Sequence, residues 1–298
     1  MPACNLRNQK KSEVMLEVFQ RKSEIFSYCS RRKSLGKTIG FVPTMGALHT
    51  GHLQLVNTAL EQNDLAVVSI FVNPTQFNSA GDLLSYPRQF DQDLKMLESL
   101  GSDKIVIFNP DVQGMYPDGM NNTGTYDLNG IDSVMEGAHR PGHFQGVATI
   151  VHKLFSSVEP HKAYFGEKDF QQLAIIRHIT KTLNLPIDII SVPTIREDDG
   201  LAKSSRNALL SEEHRAEAHR IYATMTKVKN KFDVQKIDDL IEEAIHDIQG
   251  SDNLFKVEYI EIVDENTLRP SANPQSPLRL FAAVWANKVR LIDNISLI

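Results

Sequence analysis

The chain has 298 residues, of which 41% are hydrophobic and 23% charged, fractions typical of a globular protein with a sizeable buried core. A net charge of −5 and a pI near 6.1 argue against a chain that coats nucleic acid. With only two cysteines, Cys4 and Cys29, the chain can form neither a disulfide framework nor a thiolate metal site. No apolar run approaches the ~18 residues that span a membrane. We therefore expect a cytoplasmic protein with one large or two medium domains.

The first part of the chain is predicted to be an extension followed by a helix. Residues 1–11 are polar and lack the apolar segment of a secretory signal, so we expect them to form a disordered extension. Apolar residues at loose helical spacing then predict a helix from Ser12 to about Arg32.

A strand-to-helix turn comes next, and the chain is organised around it. The apolar run Thr38–Val42 predicts a buried strand, and the helical spacing of apolar residues from Leu53 onward predicts a helix. Between them lies Pro43–Leu53, which contains two glycines and the pair His49 and His52. A helix N-terminus favours anions, and histidines three residues apart share one face, so this turn is suited to a phosphate group.

A second buried strand indicates a parallel sheet. Leu65–Val72 is apolar nearly throughout, as expected for a strand covered on both faces, and the strand–helix–strand order predicts a right-handed crossover. Asn73 and Gln76 follow its C-terminal end, where open parallel sheets bind ligands, and their amides suit a small hydroxy acid. A simple turn is the alternative for this segment.

Further helices and strands continue the alternating order. We expect a helix at residues 90–100, a strand at 104–108, a loop-rich stretch at 110–130 and a helix at 148–157. Arg140 and His143 precede the last of these and could face an anion, although solvated loop charges are the alternative. The short strand Ala163–Phe165 then leads into a second turn, Gly166–Gln172. Lys168 in that turn is a mobile charge suited to phosphate, and a helix runs on to about residue 183.

The pattern changes after Pro193. The strand at residues 187–192 is the last of the alternating series, and Lys203–Asn207 then combines two hydroxyls, two cations and an amide, a set suited to a triphosphate or to a solvated loop. Two helices, from Ser211 to about residue 231 and from about 237 to 249, precede strand-like segments at 256–263, 278–286 and 289–292. Helices followed by strands predict a second domain that begins near residue 194.

Four segments share the order and spacing of a known family. They are Phe41–Leu53, Phe71–Phe77, Phe165–Leu173 and Ser204–Asn207. His49-Thr50-Gly51-His52 resembles the signature of the nucleotidyltransferase superfamily that includes the class I aminoacyl-tRNA synthetases. Together the four segments resemble the successive signatures of the pantothenate synthetase family, over about Met15 to the last residue, which leaves residues 1–14 as an N-terminal extension.

The resemblance implies a fold and an activity. The fold is α/β, with a Rossmann-like parallel sheet in an N-terminal domain at residues 15–193 and a smaller α+β lid domain at 194–298. The activity is an ATP-dependent ligase that joins (R)-pantoate to β-alanine through pantoyl adenylate, releasing AMP and diphosphate, in coenzyme A biosynthesis. Mg²⁺ carried with ATP and a cytoplasmic homodimer are also implied.

The resemblance also implies roles for individual residues. The implied ATP contacts are Met45, Gly46, Ala47, Leu48, His49, Thr50, Gly51, His52, Gly166, Glu167, Lys168, Asp169, Ile195, Lys203, Ser204, Ser205 and Arg206. His52 is the implied proton donor, and His49, Lys168 and Arg206 complete the catalytic set. Gln76 and Gln172 are the implied pantoate contacts, with Gln76 also bordering β-alanine and Asn73 beside it. Lys203 stands where many members have Leu or Met, so its contact is expected to differ.

Two alternatives remain at the level of sequence. One is another His-x-Gly-His nucleotidyltransferase, which leaves the nucleotide on its product and does not need the paired glutamines. The other is a nucleotide-sensing module without chemistry. The residues that hold Mg²⁺ are not indicated, and Asp91 and Asp93 are candidates only by charge.

Overall fold

The structure is a computed structural model that describes residues 15–120, 124–271, 273 and 275–298. The predicted extension at residues 1–14 lies outside the described residues. Within them, no helix is both long enough and apolar enough to cross a lipid bilayer.

A parallel sheet forms the larger part of the fold. Its strands are β1 (Glu17–Phe19), β2 (Ile39–Thr44), β3 (Leu65–Ile70), β4 (Ile105–Phe108), β5 (Lys162–Gly166) and β6 (Asp188–Val192). They lie in the order β1-β4-β3-β2-β5-β6, and every neighbouring pair is parallel. The predicted parallel sheet is therefore confirmed.

The strand order contains a switch point between β2 and β5. From β2 the chain builds outward through β3 and β4, and it then returns to add β5 and β6 on the other side of β2. In open sheets of this kind the connections after the two central strands diverge, which leaves a crevice at their carboxyl ends. The two turns singled out in the sequence follow β2 and β5, so both lie at this crevice.

Helices surround both sheets. They are α1 (Lys22–Ser34), α2 (Thr50–Gln62), α3 (Ala80–Ser85), α4 (Phe90–Glu98), α5 (Val112–Met115), α6 (Met135–His139), α7 (His143–Val158), α8 (Phe170–Thr182), α9 (Glu212–Glu217), α10 (His219–Asn230) and α11 (Ile237–Gln249). Alternate strand residues face opposite sides. Phe41 accordingly packs with α1, α7 and α8, whereas its neighbour Val42 packs with α2 and α4.

An antiparallel sheet ends the chain. Its strands are β7 (Phe255–Asp264), β8 (Leu278–Ala286) and β9 (Val289–Ser296), in that order, and α10 and α11 pack against it around a separate apolar core. The sheet also contacts the first core, because the ring of Phe281 in β8 lies 5.9 Å from that of Phe170. The mixed α/β class expected from the sequence is confirmed.

Several element boundaries differ from the predicted ones. The helix expected from Ser12 is wrong at its start: Glu17–Phe19 is a strand that pairs with β4, and α1 begins only at Lys22. That pairing joins residues about 90 positions apart, which local periodicity cannot detect. Helix α7 begins at His143 rather than Ala148, and the helix expected after Ser211 is divided into α9 and α10.

Candidate functional site

The turn after β2 is held by a buried carboxylate from α4. The backbone N–H groups of Ala47 and Leu48 donate to Asp93 at 3.0 and 2.7 Å. Gly46 has φ +77°, and a Cβ there would lie 2.9 Å from an Asp93 carboxylate oxygen, so this position requires glycine. Asp93 therefore supports the turn, and this role differs from the metal contact that its charge suggested.

His49 and His52 cap α2 and share one tautomer. The N–H of Gly51 donates to Nδ1 of His49 at 3.1 Å, and the N–H of His49 donates to Nδ1 of His52 at 3.2 Å. Because each Nδ1 accepts a hydrogen bond, the neutral form of each ring carries its proton on Nε2. A Cβ on Gly51 would lie 2.9 Å from the His49 ring, so glycine here leaves room for that ring. Both rings can thus offer an Nε2–H to a ligand.

Burial keeps both imidazoles neutral. It lowers the pKa of His49 to about 4, with further repulsion from Lys168 and Lys203. It lowers the pKa of His52 to about 3, with further repulsion from His49 and Lys168. At neutral pH the pair therefore acts as hydrogen-bond donors rather than as cations.

Asn73 orients Gln76. The Asn73 amide is buried and donates to Gln76 Oε1 at 3.1 Å and to the Gly146 carbonyl at 3.2 Å, while its oxygen accepts from Tyr116. Gln76 in turn donates to the Met45 sulfur at 3.0 Å, which leaves its second amide N–H for a ligand. Asn73 is thus engaged within the protein, and Gln76 is the group that can contact a substrate.

The turn after β2 forms one wall of a cleft, and the turn after β5 supplies the second wall. Lys168 is largely buried and lies 3.8 Å from the carboxylate of Asp169, and the backbone carbonyls of Glu167 and Lys168 both accept from Asn294 of β9 at 2.9 Å. A Cβ on Gly166 would meet nothing within 4 Å, so the space in front of this residue is open. Gln172 lies one turn further along and makes no side-chain hydrogen bond with the described part of the chain, unlike its fully engaged neighbour Gln171.

The segment after β6 supplies the third wall, and its cations are paired. Lys203 lies 2.8 Å from Glu197, and Arg206 lies 3.4 Å from both carboxylate oxygens of Asp82 in α3. The extra charge at position 203 is therefore largely neutralised by Glu197.

These three walls enclose one cleft of about 240 Å³. Most of the sequence-predicted site residues line it, namely Met45, His49, Gly51, His52, Asn73, Gln76, Gly166, Lys168, Asp169, Gln172, Ile195, Lys203, Ser204, Ser205 and Arg206. Gly46, Ala47, Leu48, Thr50 and Glu167 lie outside the lining. A larger cleft of about 540 Å³ adjoins it and shares Lys168, Gln172 and Arg206 with it.

Arg140 and His143, which the sequence offered as possible anion contacts but not as site residues, line the cleft together with Tyr86, which the sequence did not indicate. His143 donates from Nδ1 to the Gln76 carbonyl at 2.7 Å, and its Nε2 lies 3.3 Å from the Arg140 guanidinium. Burial lowers the pKa of His143 to about 4, so the ring is neutral and Nε2 accepts from Arg140. The position of Arg140 and His143 before a predicted helix was the only sequence signal for this pair.

The described residues contain no cluster of three or more His, Cys, Asp or Glu side chains that could hold a metal ion. Asp169 is a carboxylate of the cleft lining, and its side chain is half exposed. Mg²⁺ needs few protein carboxylates when it is bound through substrate phosphates, so the lining fits a metal that arrives with a nucleotide rather than a resident one.

The family model described as pantoate–β-alanine ligase matches residues 17–296. A pantothenate synthetase of Bacteroides fragilis is 47% identical over 268 residues, which cover 88% of this chain and 92% of that protein. One of Aquifex aeolicus is 44% identical over 279 residues, 93% of this chain and 97% of that protein.

Solved structures of pantothenate synthetases also match this chain over nearly its whole length. The crystal structure of pantothenate synthetase from Thermus thermophilus superimposes with a TM-score of 0.86 at 37% identity, over 95% of this chain and 99% of that chain. The pantoate–β-alanine ligase of Francisella tularensis, complexed with beta-gamma ATP and β-alanine, gives a TM-score of 0.77 at 37% identity, over 95% and 98% of the two chains. The family predicted from the sequence is therefore confirmed: this chain belongs to the pantoate–β-alanine ligase family.

Proposed function

We propose that the cleft at the switch point is the site at which this pantoate–β-alanine ligase works. ATP and (R)-pantoate form pantoyl adenylate and diphosphate there, and β-alanine then converts the adenylate to pantothenate and AMP. The observation that carries the proposal is the convergence of two neutral imidazole donors, Lys168 and the Gln76 amide at one crevice. The Francisella relative, whose structure contains an ATP species and β-alanine, supports it.

In the first step the pantoate carboxylate attacks the α-phosphorus of ATP, so two anions must approach each other. Unit charges at ~4 Å and an effective dielectric of ~20 repel by about 4 kcal/mol. We assign Lys168 and the Nε2–H donors of His49 and His52 to offsetting this repulsion and stabilising charge on the leaving diphosphate. The donors are already held by the helix cap, so they need little reorganisation during the step.

ATP contacts are proposed at Met45–His52, Gly166–Asp169, Ile195 and Lys203–Arg206. In the structure Arg206 is paired with Asp82 and Lys203 with Glu197. We propose that the triphosphate replaces these carboxylates as partner of the two cations. Gln172, together with the remaining amide N–H of Gln76, is assigned to pantoate.

Mg²⁺ is proposed to enter with ATP and to neutralise part of the charge on the phosphates. Asp169 is the carboxylate of the cleft lining that would approach it. No step assigned to the protein side chains above depends on the metal.

A boundary near Pro193, with residues 194–298 as a lid, is proposed because the parallel sheet ends at Val192 and the last sheet packs around its own core. Closure over the adenylate would exclude water, which competes with the amine. Compaction in small-angle X-ray scattering on addition of ATP and pantoate is expected; an unchanged radius of gyration would contradict the lid. A homodimer in the cytoplasm is also proposed, and sedimentation velocity tests the dimer.

The direct test of the function is exchange of labelled diphosphate into ATP. We expect exchange that requires pantoate and does not require β-alanine, because only a reversible adenylation gives that pattern. Exchange without pantoate would indicate a different acceptor, and binding of ATP without exchange would indicate a nucleotide-sensing module.

A further inference from the structure

Arg140 differs from the other cations of the cleft because, among the residues that the structure describes, no carboxylate lies within salt-bridge distance of it. Lys168, Lys203 and Arg206 lie 3.8, 2.8 and 3.4 Å from carboxylates. The guanidinium of Arg140 instead approaches the neutral His143 ring at 3.3 Å and the Gln76 carbonyl at 3.4 Å. No salt bridge in the described part of the chain involves Arg140. It is a partly buried charge on which the carboxylates of Glu136 and Asp82 act only from a longer distance.

The acidic side chain of the preceding helix, Glu136, is already paired with residues of the last sheet. Glu136 of α6 accepts from both terminal nitrogens of Arg290 at 2.6 and 2.7 Å and from the Tyr259 hydroxyl at 2.7 Å. These bonds engage both carboxylate oxygens and tie α6 to the last sheet. The segment is therefore held in place while Arg140, at its end, keeps its charge for another partner.

Arg140 is also held beside a substrate contact. His143 donates to the same Gln76 carbonyl that Arg140 approaches, so the imidazole and the guanidinium are fixed to the backbone of the residue assigned to pantoate. Arg140 lines both the small cleft and the adjoining larger one. It thus lies where a second substrate could enter beside the acyl group.

We propose that Arg140 binds the carboxylate of β-alanine during the second step, an assignment that rests on the function proposed above. In that step the amine nitrogen forms the amide bond, and the bond between the acyl carbon and the phosphate oxygen breaks with its electron pair on AMP. The nitrogen loses two protons to solvent, one when the ammonium becomes the free amine and one when the amide forms. The β-alanine carboxylate stays charged from substrate to product, so a fixed guanidinium can hold it throughout.

The pantoate carboxylate fits this partner less well. It loses its charge when it becomes the mixed anhydride, so a tight ion pair would stabilise the ground state and slow adenylation. A guanidinium with two parallel N–H donors matches a carboxylate that does not react.

The test compares two amines in the Arg140→Met variant. Propylamine has the amine of β-alanine but no carboxylate. We expect kcat/KM for β-alanine to fall by about 10- to 100-fold, the scale for loss of a charged hydrogen bond, while kcat/KM for propylamine changes less than about threefold. A merely structural role for Arg140 would lower both values together.

Matched variants complete the design. Arg140→Lys, which keeps a point charge, should restore part of the preference for β-alanine, and Arg21→Met, at an exposed position, should match the wild type. Equal loss with both amines, or an unchanged preference for β-alanine, would overturn the assignment. If the unaltered chain shows no pantoate-dependent diphosphate exchange, the proposed function fails instead, so the two failures are distinguishable.

Discussion

Replacing His52 with alanine removes two hydrogen bonds that have different consequences. The first is the acceptor for the His49 N–H at 3.2 Å, a helix cap worth about 1 kcal/mol of stability, or a few degrees in Tm. The second is the proposed bond from its Nε2–H to the reacting phosphates. Loss of one such donor costs about 3 to 4 kcal/mol in the transition state, so the adenylation rate should fall by about 10²- to 10³-fold.

The measurement is the rate of pantoate-dependent diphosphate exchange, with a thermal melt on the same samples. His52→Gln is the matched control, because glutamine at the third helical position can still accept from the cap N–H and carries an amide donor. We expect it to recover the Tm and part of the rate. A His52→Ala rate within about threefold of wild type would refute the donor role.

The pH dependence tests the protonation state of the same ring. With its pKa lowered to about 3 by burial and by its neighbours, His52 is neutral in the free enzyme across the working range. The ratio of kcat/KM for ATP between wild type and His52→Gln should therefore stay constant from about pH 5.5 to 8. A ratio that falls tenfold for each pH unit above ~6.5 would mean that His52 acts as an imidazolium.

Four further outcomes are expected. Gln172→Ala should raise KM for pantoate much more than for ATP, and an equal rise in both would contradict its assignment. Gly51→Ala places a Cβ about 2.9 Å from the His49 ring, so kcat/KM for ATP should fall about tenfold with an unchanged circular dichroism spectrum. Asp93→Ala leaves two buried backbone N–H groups without an acceptor, so it should lower the free energy of unfolding by about 2 to 5 kcal/mol in urea titrations. Because the pKa values of His49 and His52 are lower in the folded than in the unfolded chain, the unfolded state binds more protons below pH ~6.5. The free energy of unfolding should therefore decrease as the pH falls from about 6.5 to about 4, and a free energy that rises over this interval would contradict the neutral pair.

The site turns could be predicted from the sequence because their signals are local. A buried strand, a turn with Gly46 and Gly51, and a helix start place His49 and His52 without any knowledge of distant contacts. The strand-to-helix turn with Lys168 is of the same kind. Both lie in the structure at the switch point expected of a parallel sheet.

The remaining features depend on contacts between distant segments. The pairing of Glu17–Phe19 with β4, and the bonds of Asp93 to the turn about 45 residues earlier, leave no periodic signal in the sequence. Arg140 is visible in the sequence as a cation near a helix start, but only the fold shows that Glu136 pairs with Arg290 instead of with Arg140. The sequence shows which residues are charged, but the partner of each charge can be identified only from the three-dimensional structure.

The most direct measurement for the whole account is a crystal structure of this chain with a non-hydrolysable ATP analogue. We expect the triphosphate within hydrogen-bonding distance of Nε2 of both His49 and His52 and of the Lys168 ammonium. A triphosphate bound away from these three groups, with the cleft after β2 and β5 vacant, would contradict it.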